Sequence, residues 1–579
     1  MVVLGSATSV PLAESASSVL VLPVETKTLS LESPQDLLRQ DSSVQLEQRG
    51  AGGGQADVVL RGGTFEQTLV LLNGFRINDS QTAHHNLDIP VPFEAMDSIE
   101  VLHGAGSTLH GADALSGVVD FLTAAPSASS LRLRAGGGSF GGNEESLLGA
   151  LLRKRWSSRL AAGRNFSTGF MADRDYRNED ASLESWVGSR LGASDLLFAV
   201  SDRSFGANQF YGPYNSWERT KDWFASARQE LGARTAAAFG YRRHTDEFVL
   251  LRNDPSVYEN NHVDGSWQAS LRRTFPIAST SLLLFGLESD GDSIRSSNLG
   301  FHARNRGAGY LDIDIRPAKA RWNLSAGLRE ELFSGGAQSV LAPHLAGSLR
   351  LADRLKLRSS GGYGFRIPTY TDLYYSDPTT MGNANLKPES AWSADGGVDW
   401  DPSSRLSLSA TGFYSREHET IDYARVSSAS QWQAVNLSGL HFQGVEASVT
   451  WIPAKSQRIQ AGWTTLAGTQ DALPSPYLQS EYALNYPVEN LHASWTAALK
   501  HALTVTNAVQ IAKPYQQPGN SHWNASAYPV WSAALTHDSG RVRPYLRLGN
   551  LSNTGYQEIN GVAMPDRSIT GGVALWLGR

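Results

Sequence analysis

The chain contains no cysteine. Disulfides, thiolate metal sites and cysteine nucleophiles are therefore excluded. It also lacks an excess of positive charge: 50 Lys and Arg stand against 56 Asp and Glu, a net charge of −6 over 579 residues. A nucleic-acid binder carries a basic patch or stripe, so that class is excluded too. No stretch approaches 18 consecutive apolar residues, and SVLVLPV (Ser18 to Val24) is typical of the longest. A transmembrane helix is thereby ruled out. The opening MVVLGSATS has neither a basic n-region nor a long apolar core, so no signal peptide is expected in this chain. If the protein is exported, Met1 stands where a leader was removed. Helical periodicity is nearly absent. No H-E-x-x-H occurs, and no Ser, His and Asp set carries a family signature, so the chain reads as a non-enzyme that requires no cofactor.

Glycine and aromatic residues are plentiful: 55 Gly, and 54 Phe, Trp and Tyr, of which 15 are Trp. From about Ser127 onward one pattern repeats. Trp322, Leu324, Ala326 and Leu328 alternate with Asn323, Ser325, Gly327 and Arg329; Ile569, Val573, Leu575 and Leu577 alternate with Ser568, Thr570, Gly572 and Trp576. Period-two patterning means strands with one apolar and one polar face. Two architectures fit: a soluble β-sandwich or propeller, whose apolar faces pack together, and a membrane barrel, whose apolar face meets lipid. The small, polar inward set, the aromatics near strand ends and the alternation of short and long connections favour the barrel. A strand of about 10 residues with its share of connection takes on the order of 20 residues. The 453 residues from 127 to 579 therefore give about 22 strands, enclosing a lumen that must be plugged.

Residues 1–126 read differently. SPQDLLRQ (Ser33 to Gln40) is a short helix with Ser33 as N-cap and Pro34 in the first turn. ADVVLRGG, QTLVLLNGFRIND, DSIEVLHG and GVVDFL are short strands between Gly-rich turns. Together they make an α+β globule of a size suited to a lumenal plug. Its segment IEVLHGAGSTLHGADALSGVVDF (Ile99 to Phe121) looks like a phosphate cradle but fails as one. Ala112 and Asp113 stand where a P-loop needs Lys and Ser or Thr. The glycines instead let the backbone turn sharply and pass close to other chain.

The residues VVLRGG (Val58 to Gly63), LVLLNGFRIND (Leu69 to Asp79), the segment Ile99 to Phe121, FRIPTYTDLYY (Phe365 to Tyr375), GNANLKPE (Gly382 to Glu389), GVEASVTW (Gly444 to Trp451) and NLSNTGYQEINGVAMPDRS (Asn550 to Ser568) stand in an order that resembles the TonB-dependent outer-membrane receptors. The compact length is similar to the cobalamin-receptor subgroup. The resemblance implies an all-β membrane protein: a 22-stranded antiparallel barrel (127–579) around an α+β plug (11–126), preceded by a TonB box and extended N-terminus (1–10). It implies a monomeric active importer in the bacterial outer membrane, powered by a TonB-type periplasmic partner. The cargo would be a scarce large nutrient, first a corrinoid such as cobalamin, with a ferric siderophore or heme as the alternative. A passive channel would lack the plug, and a soluble β-rich binding protein would not need detergent. The sequence departs from the family at His103 and His110, where Arg and an aromatic are usual, and at its end, where Trp576 is three residues from the terminus.

Several sites follow from the resemblance. Val2, Val3, Leu4, Gly5 and Ser6 resemble the TonB box, an extended segment that adds a strand to the partner's sheet. Arg61 matches a plug arginine that faces wall carboxylates, here Glu446 and Asp395, and His103 takes the place of a second such arginine. A histidine beside a carboxylate could switch near neutral pH, so the plug is expected to be held more weakly than usual. For substrate, the donor- and acceptor-rich segment with Asn78, Asp79, Ser80, Gln81, His84, His85 and Asn86 is the apical-loop candidate. His84 and His85 as metal ligands are disfavoured, because adjacent strand residues point in opposite directions. Barrel loops add Phe210, Tyr211, Tyr214, Trp217, Tyr258, Tyr374 and Tyr375, since Tyr and Trp give large contact area at low entropic cost. Asp173, Asp175, Glu179 and Asp180 form an acidic loop that suits Ca²⁺, although Arg174 and Arg177 interrupt it.

Overall fold

The computed structural model describes residues 4–578 apart from 6–9, 26, 53, 319, 335–338, 482–485 and 516–525. Its N-terminal part is built from β1 (Val19–Pro23), α1 (Pro34–Leu38), β2 (Val44–Gln48), β3 (Ala56–Leu60), β4 (Thr68–Leu72), β5 (Phe75–Arg76), β6 (Ser98–His103), α2 (Ser107–His110) and β7 (Gly117–Leu122). Five strands form one sheet in the order β1-β6-β7-β4-β5, and β2 and β3 pair separately. Helix α1 starts where the sequence dictates. Ser33 Oγ accepts from the Asp36 amide, Asp36 Oδ2 accepts from the Ser33 amide at 3.1 Å, and Pro34 occupies the first turn. This is a capping box with the proline where its missing N–H costs nothing.

Strands this short bury both faces. Leu60, Val70, Leu72, Ile99, Val101, Val119 and Phe121 pack into one core, which continues onto Leu197, Ala199 and Phe224 of the surrounding wall. The cradle-like segment is a four-residue helical turn between β6 and β7, too short to present a phosphate site. Gly111 has φ +79, and a Cβ there would lie 2.9 Å from Arg329 Nη2; a Cβ on Gly117 would lie 2.2 Å from Leu60 Cδ1. Both glycines are demanded by backbone sign or by close approach.

Around this globule 22 antiparallel strands, from Ser130–Gly138 to Ser568–Gly578, form a closed barrel. The last strand pairs with the first, from Thr570↔Gly138 to Gly578↔Ser130, which abolishes free edges. Alternation decides the faces. Trp322 and Leu328 are exposed on the outer wall, whereas Ser325 and Arg329 are buried inside. The same holds for Ile569, Val573 and Leu577 outside and Ala574 inside. An outer face of Leu, Phe, Trp and Val over a polar lumen is the inverse of a soluble core and suits lipid. Among the described residues no helix is long and apolar enough to cross a membrane; the strands do the crossing. At one end the connections are short, such as 353–354 and 404–405, and both barrel termini lie there. At the other end they are long, such as 250–258, 367–388 and 419–439.

Candidate functional site

Ion pairs join the plug to the wall beside the apolar core that the two share. Arg61 ends β3 with a left-handed backbone, φ +49, followed by Gly62 at φ +85. This turn aims its guanidinium at the wall. Arg61 donates from Nε and Nη2 to Glu446 Oε1 and Oε2 at 2.8 and 2.9 Å, and from Nη1 to Asp395 Oδ2 at 2.9 Å. The Phe413 ring lies 4.7 Å from its Cζ. The planar fork matches a carboxylate on two edges at once, which a lysine could not do. Arg366 of the wall holds Glu66 of the plug at 2.6 Å and Asp372 at 3.0 Å, together with Glu389. Sequence reading missed this second fork; Arg366 lies inside FRIPTYTDLYY, and nothing local distinguishes it. Further pairs join Arg39 to Glu558 and Glu94 to Arg134.

The hydrogen bonds of His103 stay within the plug. Its Nε2 lies 2.8 Å from Asp41 Oδ2 and 2.7 Å from Ser43 Oγ, and its Nδ1 lies 3.4 Å from Ser18 Oγ. All three partners belong to the plug, so the expected plug–wall contact is corrected to an internal one. Burial alone would lower the imidazole pKa, but the Asp41 carboxylate and more distant Glu446 raise it above the usual value. Asp41 is correspondingly lowered by His103, against the upward push of burial. His110, the other departure, is half-buried in the seam. Burial and the nearby Arg272 hold it neutral, with a pKa pushed down to about 3.

The segment expected to meet cargo makes hydrogen bonds within the protein. Asn78 closes the β4–β5 turn by accepting from the Val70 amide. Asp79 takes Arg242 at 3.1 Å, Ser80 donates to Asp264 at 3.1 Å and Gln81 to Asp246 at 2.8 Å. Asn86 accepts from the Asp79 amide at 2.8 Å. His84 and His85 do diverge, but on a helical turn, Ala83–His85, rather than a strand. His84 reaches Asp57 at 2.9 Å and stacks on Phe65, whereas His85 enters a cluster of acidic wall residues. The loop 367–388 caps the segment: the Tyr370 and Thr371 amides donate to Ser80 O and Gln81 O at 2.9 and 3.0 Å.

The barrel-loop aromatics fare differently. Phe210, Tyr211, Phe248 and Tyr258 follow one another with ring centroids 6.3, 5.5 and 6.5 Å apart, and Tyr258 Oη lies 3.2 Å from Tyr375 Oη. They form a continuous aromatic series along the long-loop mouth, with Arg49 over Tyr211 at 5.7 Å. Phe248 was absent from the sequence candidates, although it shares the inward face with Asp246 and His244, two and four residues away. Tyr214 is exposed beside the series. Tyr374 stacks on His302 with centroids 3.7 Å apart. Trp217 is corrected: its strand neighbours Ser216, Glu218 and Thr220 are buried inward, so Trp217 belongs to the outer face.

The acidic loop does not assemble. Asp173 and Asp175 both pair with Arg252. Glu179 lies near Arg164 at 3.5 Å on the outer face, and Asp180 reaches Arg203 at 3.4 Å on the inner one. Adjacent strand residues point apart, so the four carboxylates do not converge on one ion. At the N-terminus, Leu4 is fully buried against Leu69, Leu71, Leu102 and Val118, and its amide donates to Glu100 at 3.0 Å. Gly5 sits in a turn with φ +76. Those two residues are packed rather than free; Val2, Val3 and Ser6 lie outside the described residues.

Between the plug and the wall lies a cavity of about 330 Å³, lined by Arg76, Asp113, Arg272, Glu288, Arg306 and others. A charged, hydratable seam of this kind holds position yet exchanges partners with water, which apolar packing does not permit. A lipid-facing barrel whose lumen is filled by a separately folded globule on such a seam is a gated outer-membrane transporter. The family described as TonB dependent receptor-like, beta-barrel matches residues 129–573, and the TonB-dependent Receptor Plug Domain matches residues 11–118. The chain belongs to the TonB-dependent receptor family, and the long-loop end is its extracellular face. It is 25% identical over 450 residues to the vitamin B12 transporter BtuB of Photobacterium profundum, covering 74% of this chain and 72% of that one. Solved structures of the same fold include the siderophore receptor PirA from Acinetobacter baumannii, with TM-score 0.78, 14% identity and coverage of 96% and 98%. The FrpB iron transporter from Neisseria meningitidis has TM-score 0.80 and 13% identity, with coverage of 97% and 100%.

Proposed function

We propose that this TonB-dependent transporter imports a corrinoid such as cobalamin. The observation that carries the reading is the match to a vitamin B12 transporter across plug and barrel together, over 74% of this chain. The aromatic series at the mouth supports it, since a broad, partly apolar ligand is gripped by rigid rings at low entropic cost. Energy would come from a TonB-type periplasmic partner that adds the N-terminal segment as a strand to its own sheet. Because Leu4 is buried in the plug, strand addition by Val2 to Ser6 requires that contact to open first. Opening it uncovers Leu69 and Leu71 of β4 and Leu102 of β6, against which Leu4 packs. Ferric siderophore transport is the second reading; the siderophore receptor PirA shares the fold, and at 14% identity it supports the fold alone.

The test is direct binding by the purified full chain in detergent, with cyanocobalamin against a panel of ferric siderophores and heme. Saturable cobalamin binding lost on replacing Tyr211 and Phe248 with Ala supports the proposal. Tight siderophore or heme binding without cobalamin binding overturns it.

A further inference from the structure

One cluster in the seam is not explained by plug docking. The turn after β5 presses His85, Asp79 and Asp88 against the inward faces of the strands Asn215–Leu231, Thr235–Val249 and Glu259–Pro276. Register places Asp222, His244 and Asp264 in one row across these strands and Thr220, Asp246 and His262 in the next. Glu218 completes the wall. All of these residues are buried, and His244 is 1% exposed.

Charge and geometry both ask for a cation. Six carboxylates, those of Asp79, Asp88, Glu218, Asp222, Asp246 and Asp264, meet two guanidinium groups, Arg203 and Arg242. Arg203 is shared further with Asp180. His244 faces only carboxylates, Asp79 and Asp88, and Asp246 Oδ1, Asp264 Oδ2 and His262 Nδ1 make no hydrogen bond to the protein among the described residues. Buried groups of this kind are normally satisfied.

The two imidazoles share one arrangement. His244 Nε2 lies 3.5 Å from Asp88 Oδ2, while its Nδ1 faces Asp79 Oδ2 at 2.8 Å. His85 Nδ1 lies 3.8 Å from the same Asp88 oxygen, while its Nε2 faces Glu218 and Asp246 at 3.3 and 3.6 Å. Each ring thus turns one nitrogen toward a common point beside Asp88 and the other toward a carboxylate, the outer-shell partner that orients a metal-bound histidine. Ligand atoms of these three residues all fall within 4.8 Å of one another. A tetrahedral ion with bonds of about 2.1 Å needs ligand atoms about 3.4 Å apart, so 3.5 and 3.8 Å ask for only a small contraction.

We propose that His85 and Asp88 of the plug and His244 of the wall bind one divalent transition-metal ion of the Zn²⁺ class, with water in the fourth position. Two imidazoles and one carboxylate suit Zn²⁺, Cu²⁺ or Ni²⁺ and not Ca²⁺, which takes six to eight oxygens. Ligands drawn from both bodies make the ion a clip between the plug turn and the barrel. The site lies below the mouth aromatics, and its existence does not depend on the identity of the cargo.

The test uses the purified full chain in detergent, without cargo. It is stripped with chelator, loaded with Zn²⁺, desalted and assayed for metal content. A parallel sample is loaded with Co²⁺ and read by visible absorption. About one retained Zn²⁺ per chain, with the intense d–d bands of four-coordinate Co²⁺, is expected. Asp88→Asn and His244→Gln should each weaken binding by about tenfold or more, and His441→Gln, at the start of the strand Leu440–Ala454 and near Asp471, should not. Folding of each variant is checked by the heat-dependent gel shift of an intact barrel. Absence of stoichiometric Zn²⁺ in the unmodified chain overturns the proposal, whatever the variants do. Undiminished binding in both folded variants overturns it as well.

Discussion

Removing the Arg61 guanidinium should loosen the plug more than any other single truncation in the seam. Arg61 is 8% exposed, and its three donor nitrogens are committed to Glu446 and Asp395 at 2.8 to 2.9 Å. Arg61→Ala deletes the shared cation and leaves two carboxylates in the lumen wall without it. Breaking a buried pair by removing one partner costs about 3–5 kcal/mol. At about 1.4 kcal/mol per decade, that is roughly two to four decades in the local ratio of docked to released plug. Most of the cost is uncompensated charge. The triple variant Arg61→Met, Asp395→Asn, Glu446→Gln should therefore recover most of it, because a neutral, space-filling replacement of a buried ion group is often tolerated. Planar-bilayer conductance reads the open fraction, and urea titration reads the plug midpoint. Arg61→Ala should conduct in frequent bursts and unfold its plug at lower urea, with the triple variant close to the parent. An Arg61→Ala chain as closed and as urea-resistant as the parent refutes the reasoning. So does a triple variant as leaky as the single one.

Three further outcomes are expected. The His103–Asp41 pair makes plug stability pH-dependent. The raised His103 pKa contributes stability in full below about pH 6.5 and loses it as pH rises through the higher folded value. The lowered Asp41 pKa contributes above about pH 4 and is lost as pH falls through its folded value. The urea midpoint of the plug should thus fall on the alkaline side, and His103→Gln should flatten that limb; an unchanged limb sinks the assignment. Gly117→Ala would place a Cβ 2.2 Å from Leu60 Cδ1 and 2.5 Å from Leu102 O, an overpacking worth about 1–3 kcal/mol. Adding Leu60→Ala should restore only part of it, because the Leu102 carbonyl cannot yield; full restoration in plug unfolding argues against the backbone clash. Tyr211→Ala and Phe248→Ala should each weaken cargo binding by about 1–2 kcal/mol, whereas Trp217→Ala, on the outer face, should leave the dissociation constant unchanged in the same titration.

How much of this was legible in the chain depends on the distance over which each feature is set. Alternation of Trp322, Leu324, Ala326 and Leu328 with Asn323, Ser325, Gly327 and Arg329 is a local property of a pleated strand. It placed those residues on the lipid face and the lumenal face correctly. The capping box at Ser33 and Asp36 is local too. Arg61 with Glu446 and Asp395 came from ordered motifs, and the structure brings the three together. Other features were not legible. Trp217 was read as a loop aromatic, yet its position one residue from buried Ser216 and Glu218 assigns it outward. The acidic loop was read from composition, which ignores that Glu179 and Asp180 point apart.

The sequence by itself determined a lipid-facing barrel of about 22 strands, a small Gly-rich plug and the arginine that anchors it. Period-two patterning and turn chemistry act within a few residues, and the motifs preserve order along the chain. Only the tertiary structure decided what the polar side chains meet. His103 turned to Asp41 because the end of β6 runs beside the segment after α1, whose Asp41 and Ser43 reach its Nε2. His85 met His244 and Asp88 because the turn after β5 is pressed onto three barrel strands whose mutual register aligns their inward rows. Those contacts depend on how two separately patterned bodies nest, and a one-residue change of register in a strand would face its ligating side chains to lipid instead.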